Sequence, residues 1–186
     1  MRFTYFCPRL RFSDYHWRWD AVADSEHVSK VQEGTAAWNR WREEEPDVIP
    51  DLGWANLNGI NLDGAVFAKS ALKLAFCKGC SMVGADFSEA NMRGVNLEGC
   101  DLRGAVFRSA NLEGAHMLGA DLTGADFAGA NLKLANFDGA VLRDANLRGA
   151  KKLRASQLFH LKELGNLNVS DEILEKVKTQ SPHLFE

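Results

Sequence analysis

The sequence predicts an all-β solenoid: a four-sided rod of about five coils, with α-helical caps at both ends. Three observations point there. From Pro50 to Gly149 the chain divides into blocks of five with no insertion. Phe67, Phe87, Phe107 and Phe127 recur every twenty residues, which is four blocks. Thirteen of the sixteen glycines fall at one place of the block. A period of five fits neither the 3.6-residue helix nor the two-residue strand, so the chain turns a corner once per block.

Each place of the block has a physical reading. Nineteen of the twenty central residues are Leu, Met or Phe, Cys77 being the exception. Two places earlier, fourteen of twenty are Ala. These two places flank one polar residue, so both point inward along a short extended segment. A narrow interior explains the Ala-sized partner, since a larger side chain there would overpack. Glycine two places after the centre suits a corner at positive φ. The place before the centre is often Asn or Asp, whose side chains bond to nearby backbone. With four blocks to a coil, Phe67, Phe87, Phe107 and Phe127 form one inward stack. Five coils at sheet spacing give a rod roughly 24 Å tall.

This A-[DN]-L-x-G pattern resembles the pentapeptide-repeat family. Ala110-Asn111-Leu112-Glu113-Gly114 and Ala120-Asp121-Leu122-Thr123-Gly124 match it fully. The resemblance covers residues 50 to 149 and implies a right-handed quadrilateral β-helix.

Residues 1–23 interleave Phe3, Tyr5, Phe6, Phe12, Tyr15, Trp17 and Trp19 with four arginines. That composition can clamp single-stranded nucleic acid, yet it lacks period and length, and an irregular or flexible arm is expected. Its arginines interrupt any apolar stretch, unlike a secretory signal. Residues 24–49 supply a capping helix and linker. Asp24 or Ser25 caps it, Val28, Val31, Thr35, Trp38 and Arg42 share a face, and Glu45-Pro46 ends it. Trp38-Asn39-Arg40-Trp41-Arg42 before Pro50-Asp51-Leu52 resembles leaders of some bacterial members. Residues 50–150 are the repeat body. Residues 151–186 form a C-terminal helical cap. One helix starts at Ser156 with Leu158, Leu161 and Leu164, closed by Gly165, and another runs from Ser170 through Lys178. A dimerisation element is the alternative there, so the chain is expected to be a monomer or a dimer through an end cap.

Chemistry is sparse. The 186 residues carry a net charge of -3 and only four cysteines, which suits a reducing cytoplasm and disfavours a basic nucleic-acid binder. No run of 18 apolar residues exists to span a membrane. Cys77, Cys80 and Cys100 all fall at inward places, where three sulfurs could hold zinc or sense thiols. No fourth ligand is evident, and cysteine is also an ordinary small core residue. The five histidines share no ligand spacing, and no phosphate-cradling loop or nucleophile elbow is found. No cofactor is expected, and a filled prism leaves no substrate cavity.

The leading expectation is a cytoplasmic, non-enzymatic protein-interaction scaffold. Phe76, outward at an Asn-type place, is the foremost contact candidate, and Trp54 is a contact for the capping helix or a partner. The resemblance suggests an alternative, because some members mimic duplex DNA and bind DNA gyrase. Residues 50 to 149 hold eleven acids against nine bases. A duplex ~24 Å long would carry about fourteen charges, so the electrostatic likeness is poor. A thiol or metal sensor built on Cys77, Cys80 and Cys100 is the second alternative. No membrane contact and no direct nucleic-acid binding are expected.

Overall fold

A computed structural model describes residues 23–185. The arm expected over residues 1–23 therefore lies, but for its last residue, outside the described residues.

Parallel bridges join residues twenty apart from Asp51↔Ala71 to Asn131↔Lys151. Four quintets thus separate each bridge from the one above it. Every quintet has the same backbone plan: one bridge residue, the inward central residue, and a two-residue turn. The corner consumes so much of each block that no strand longer than a single bridge residue forms among the described residues. The expected all-β body is therefore a ladder of isolated bridges.

The hydrogen bonds explain the block's composition. In the quintet of Leu57, the Phe76 N–H donates to Ala55 O (2.9 Å) and the Leu57 N–H to Phe76 O (2.7 Å), tying two coils. The Gly59 N–H donates to Lys78 O (3.0 Å). Within the corner of the next block, the Ala65 N–H closes on Leu62 O (3.1 Å). That leaves the N–H just after the centre, which the Asn or Asp just before the centre accepts. Glu98 N–H donates to Asn96 Oδ1 (3.0 Å) and Thr123 N–H to Asp121 Oδ1 (3.0 Å). At two places where that acceptor is missing, before Cys77 and before Met82, the coil below supplies one. Phe76 has no such oxygen, and the Lys78 N–H turns to Asn58 Oδ1 (2.7 Å). Obligatory backbone pairing thus selects Asx at this place.

The inward residues from Leu52 to Leu147 are buried, except Ile60, which is partly buried. The rings of Phe67, Phe87, Phe107 and Phe127 stack at centroid spacings of 5.2, 5.1 and 4.8 Å, within 7° of parallel. Ser70, at an Ala-type place, is also buried, and its hydroxyl has no partner.

The N-terminal segment forms two helices where one was expected: α1 (Ser25–Gln32) and α2 (Thr35–Glu44). Gly34, at φ +101°, breaks the helical path between them. Asp24 caps α1 by accepting from Glu26 N–H (2.8 Å). Trp38 of α2 is wholly buried against the Phe67 ring (5.2 Å), and its Nε1–H donates to Val66 O (2.9 Å). Asn39 pairs with the Val66 N–H and the Gly64 carbonyl (both 2.9 Å). The first coil's otherwise open edge is satisfied in this way.

At the C-terminus, the helix expected from Ser156 to Leu164 is absent. A 3₁₀ turn spans Ala155–Leu158, and the chain then resumes the ladder with a register of twenty-two: Val141↔Glu163 and Asn146↔Asn168. Leu158, Leu161, Leu164 and Leu167 are buried along this partial lap. Gln157 Nε2 donates to the carbonyls of Leu132 (2.8 Å) and Ala135 (2.7 Å). Helix α3 (Asp171–Gln180) follows Ser170 and is succeeded by a 3₁₀ turn over Pro182–Phe185.

Candidate interaction surface

With the interior filled, any functional group must lie on the outside. The cysteines illustrate the constraint. Cys77, Cys80 and Cys100 are all buried and unpaired. The Cys80 thiol donates to Leu57 O and the Cys100 thiol to Cys77 O (both 2.8 Å). Burial pushes the Cys77 thiol up. The hydrogen bond with Cys80, and then burial, raise Cys100 and leave Cys80 the easier of that pair to ionise. A zinc site needs thiolates free to converge on one ion. Cys80 and Cys100 instead spend their protons on carbonyls, and no group of three potential ligands is arranged to hold a metal among the described residues.

The surface concavities are shallow. One of about 680 Å³ lies between α3 and the 3₁₀ turn near Phe159. Its carboxylate Glu172 is tied to Lys176 (2.6 Å), and Glu175 to Lys178 (2.9 Å). No nucleophile and base meet there.

The contact candidates separate in space. Phe76 is 43% exposed on the side centred on Leu57, Cys77 and Leu97, which also presents Leu118 and His116. Trp54 is 45% exposed at a corner, with φ +62°. The helices meet the rod through other tryptophans: Trp38 on Phe67, and Trp41 beside Trp38 (5.2 Å) and His27 (5.0 Å). Sequence reasoning passed over Leu134, which is 67% exposed at φ +58°, and its counterpart Leu74 at φ +58°. The available signal was a leucine at a place where most blocks carry glycine.

Charge is sorted by side. The side centred on Leu72, Met92, Leu112 and Leu132 carries Lys73, Arg93, Lys133, Lys151 and Lys152 against Asp51 and Glu113. The side centred on Leu62, Met82, Leu102 and Leu122 carries Asp63, Asp101, Asp121 and Asp144 against Arg103 and Arg143. Ion pairs link successive coils, as in Lys78–Glu98 (2.8 Å) and Lys133–Glu113 (2.9 Å), but these exposed pairs add little stability. No helix among the described residues is long and apolar enough to cross a membrane.

A pentapeptide repeat protein from the Arabidopsis thaliana thylakoid lumen shares 35% identity over 53% of this chain and 68% of its own, with a TM-score of 0.52. A pentapeptide repeat protein from Nostoc PCC 7120 shares 27% identity over 68% of this chain and 75% of its own, with a TM-score of 0.38. HetL, also from Nostoc and involved in heterocyst differentiation regulation, shares 28% identity over 61% of this chain and 54% of its own, with a TM-score of 0.30. No curated protein matches the chain. The family described as pentapeptide repeats matches residues 51–88, 80–119, 100–137 and 120–151, in eight copies. Those matches span more than half of the sequence, and the chain belongs to the pentapeptide-repeat family, whose members fold as right-handed β-helices.

Proposed function

We propose that this protein is a non-enzymatic scaffold for protein–protein interaction, built as a four-sided right-handed β-helix of about five coils and closed at each end by helices. The observation that carries the reading is the filled interior: apart from Ile60, which is partly buried, the inward residues from Leu52 to Leu147 are at most 6% exposed. With its interior filled by those side chains, the rod offers its surface as the place where specificity resides. The twenty-residue register supports four sides, and the contacts of α2 and Gln157 with the terminal coils support the caps. Cytoplasmic residence accords with thiols held as donors to carbonyls.

Affinity purification with the intact chain, and with a chain lacking residues 1 to 23, followed by mass spectrometry, tests the reading. A stoichiometric protein partner is expected. A substrate turned over by the pure protein, with activity abolished by one point change, would replace it. A DNA-mimicking modulator of gyrase draws less support, because one side of the rod is net positive. Unchanged supercoiling and quinolone inhibition at stoichiometric protein is the expected result.

A further inference from the structure

The positive side carries a groove along its corner. One notch of about 410 Å³ lies between Leu74 and Leu134, floored by Gly94 and Gly114 and rimmed by Lys73 and Arg93. A second, of about 530 Å³, lies beyond Leu134 and is rimmed by Lys133, Lys152 and Arg154. Leu134 is the ridge common to both.

The two leucines are out of keeping with their backbone. Both stand at φ +58°, where thirteen of the twenty equivalent residues are glycine. A left-handed conformation disfavours a residue bearing a Cβ. Trp54, Lys69, Glu89, Ser109 and Asp144 share that backbone, so what sets the two leucines apart is their apolar character on the basic side. Leu74 bends over the next coil, its Cδ2 only 2.6 Å from where a Cβ on Gly94 would sit. Gly114 has nothing within 4 Å of that position, so the floor beneath Leu134 is bare. Leu134 is left 67% exposed.

The rim has one dominant sign. Among the described residues, Lys73, Arg93 and Lys152 have no ion-pair partner, and Lys133 pairs only with Glu113. Glu113 is held below the usual carboxylate range by its bond to Lys133, with Arg93 and Lys152 adding to the same field.

We propose that this groove docks an acidic, extended segment of a partner protein that inserts a leucine-sized apolar side chain beside Leu134. The proposal rests on the scaffold reading and names its surface and partner chemistry. Leu74 and Leu134 lie three coils apart, about 14 Å, a span of roughly four extended residues. The groove residues include no aromatic platform on which bases could stack. The chain's own residues 1 to 23 do not complement it, carrying four arginines against Asp14 and Asp20.

A random-peptide phage library panned against the full chain is the probe. Enriched peptides are expected to set Asp or Glu around a Leu, Ile, Met or Phe. By fluorescence anisotropy, Leu134→Gly and the double variant Lys73→Glu/Arg93→Glu should each weaken the best peptide about tenfold or more. Glycine suits φ +58°, so Leu134→Gly should melt no lower than wild type, which separates lost binding from lost folding. No enrichment, no acidic bias, or equal binding by Leu134→Gly overturns the groove assignment. Equal binding by that variant, with a partner still captured by affinity purification, leaves the scaffold reading standing. A DNA duplex bound by wild type and by Leu134→Gly, but lost in the double variant, assigns the groove to nucleic acid and also overturns the proposal.

Discussion

Replacing Phe107 by leucine isolates what the aromatic column contributes. Leucine is the commonest central residue, and Leu147 already ends this column, so the site accepts its shape and burial. The substitution removes two near-parallel ring contacts, to Phe87 at 5.1 Å and to Phe127 at 4.8 Å. Each is worth about 0.5–1.5 kcal/mol beyond buried area, so the pair predicts a loss of about 1–3 kcal/mol. Phe137 provides the control, because among the described residues its ring meets one other, in an edge approach to Phe127 at 6.0 Å. Phe107→Leu should therefore cost about twice what Phe137→Leu costs. Urea unfolding followed by far-ultraviolet circular dichroism measures both, with an unchanged slope against denaturant showing that the same surface is exposed. Equal losses, or a loss at Phe107 below about 0.5 kcal/mol, would refute stacking as a distinct source of stability.

Ser70→Ala should stabilise the rod by about 1 kcal/mol, because it removes a buried hydroxyl without a partner. A lower melting temperature would show that the hydroxyl is satisfied in solution. Asp63 accepts from the Ser81 hydroxyl (2.6 Å) and the Val83 N–H (2.8 Å), and these bonds hold its carboxyl below the ordinary range. A lowered folded value means that the stabilisation is present above about pH 4 and lost as pH falls through the folded value. Wild type should exceed Asp63→Asn by less than about 1 kcal/mol at pH 7, since the site is exposed, and the margin should vanish on acid titration. With Cys7 changed to Ser, thiol titration of the native protein at pH 7 should find no fast-reacting group, and three should appear in urea. One fast thiol in the native protein would revive the sensor reading.

The repeat body was legible because its period depends on two local demands, an inward pair per block and a corner after it. Leu57, Phe87 and Ala110 are therefore placed by counting alone. The tail was not legible in the same way. Leu158, Leu161, Leu164 and Leu167 are spaced by threes, which matches one face of a helix as well as inward steps of a coil. Packing on the last full lap decides in favour of the coil. Gly34 sits inside a helical pattern that tolerates glycine, and only its backbone angle reveals the break. The Asx place reads from sequence as a turn preference, whereas its task is to accept the one N–H that neighbouring coils leave over. The groove escaped notice because Leu134 reads as an unremarkable apolar residue until its place in the corner column is known.

The ladder's register limits how such a chain can lengthen. Duplicating a single quintet would advance every later residue to the adjoining column, setting phenylalanines over leucines and scattering like charges among all flanks. Duplicating twenty residues would leave each column intact and merely extend it. Growth by whole laps is thus the one increment that conserves both the interior and the surface pattern, and the two residues gained before Glu163 fall where the periodic body has already ended.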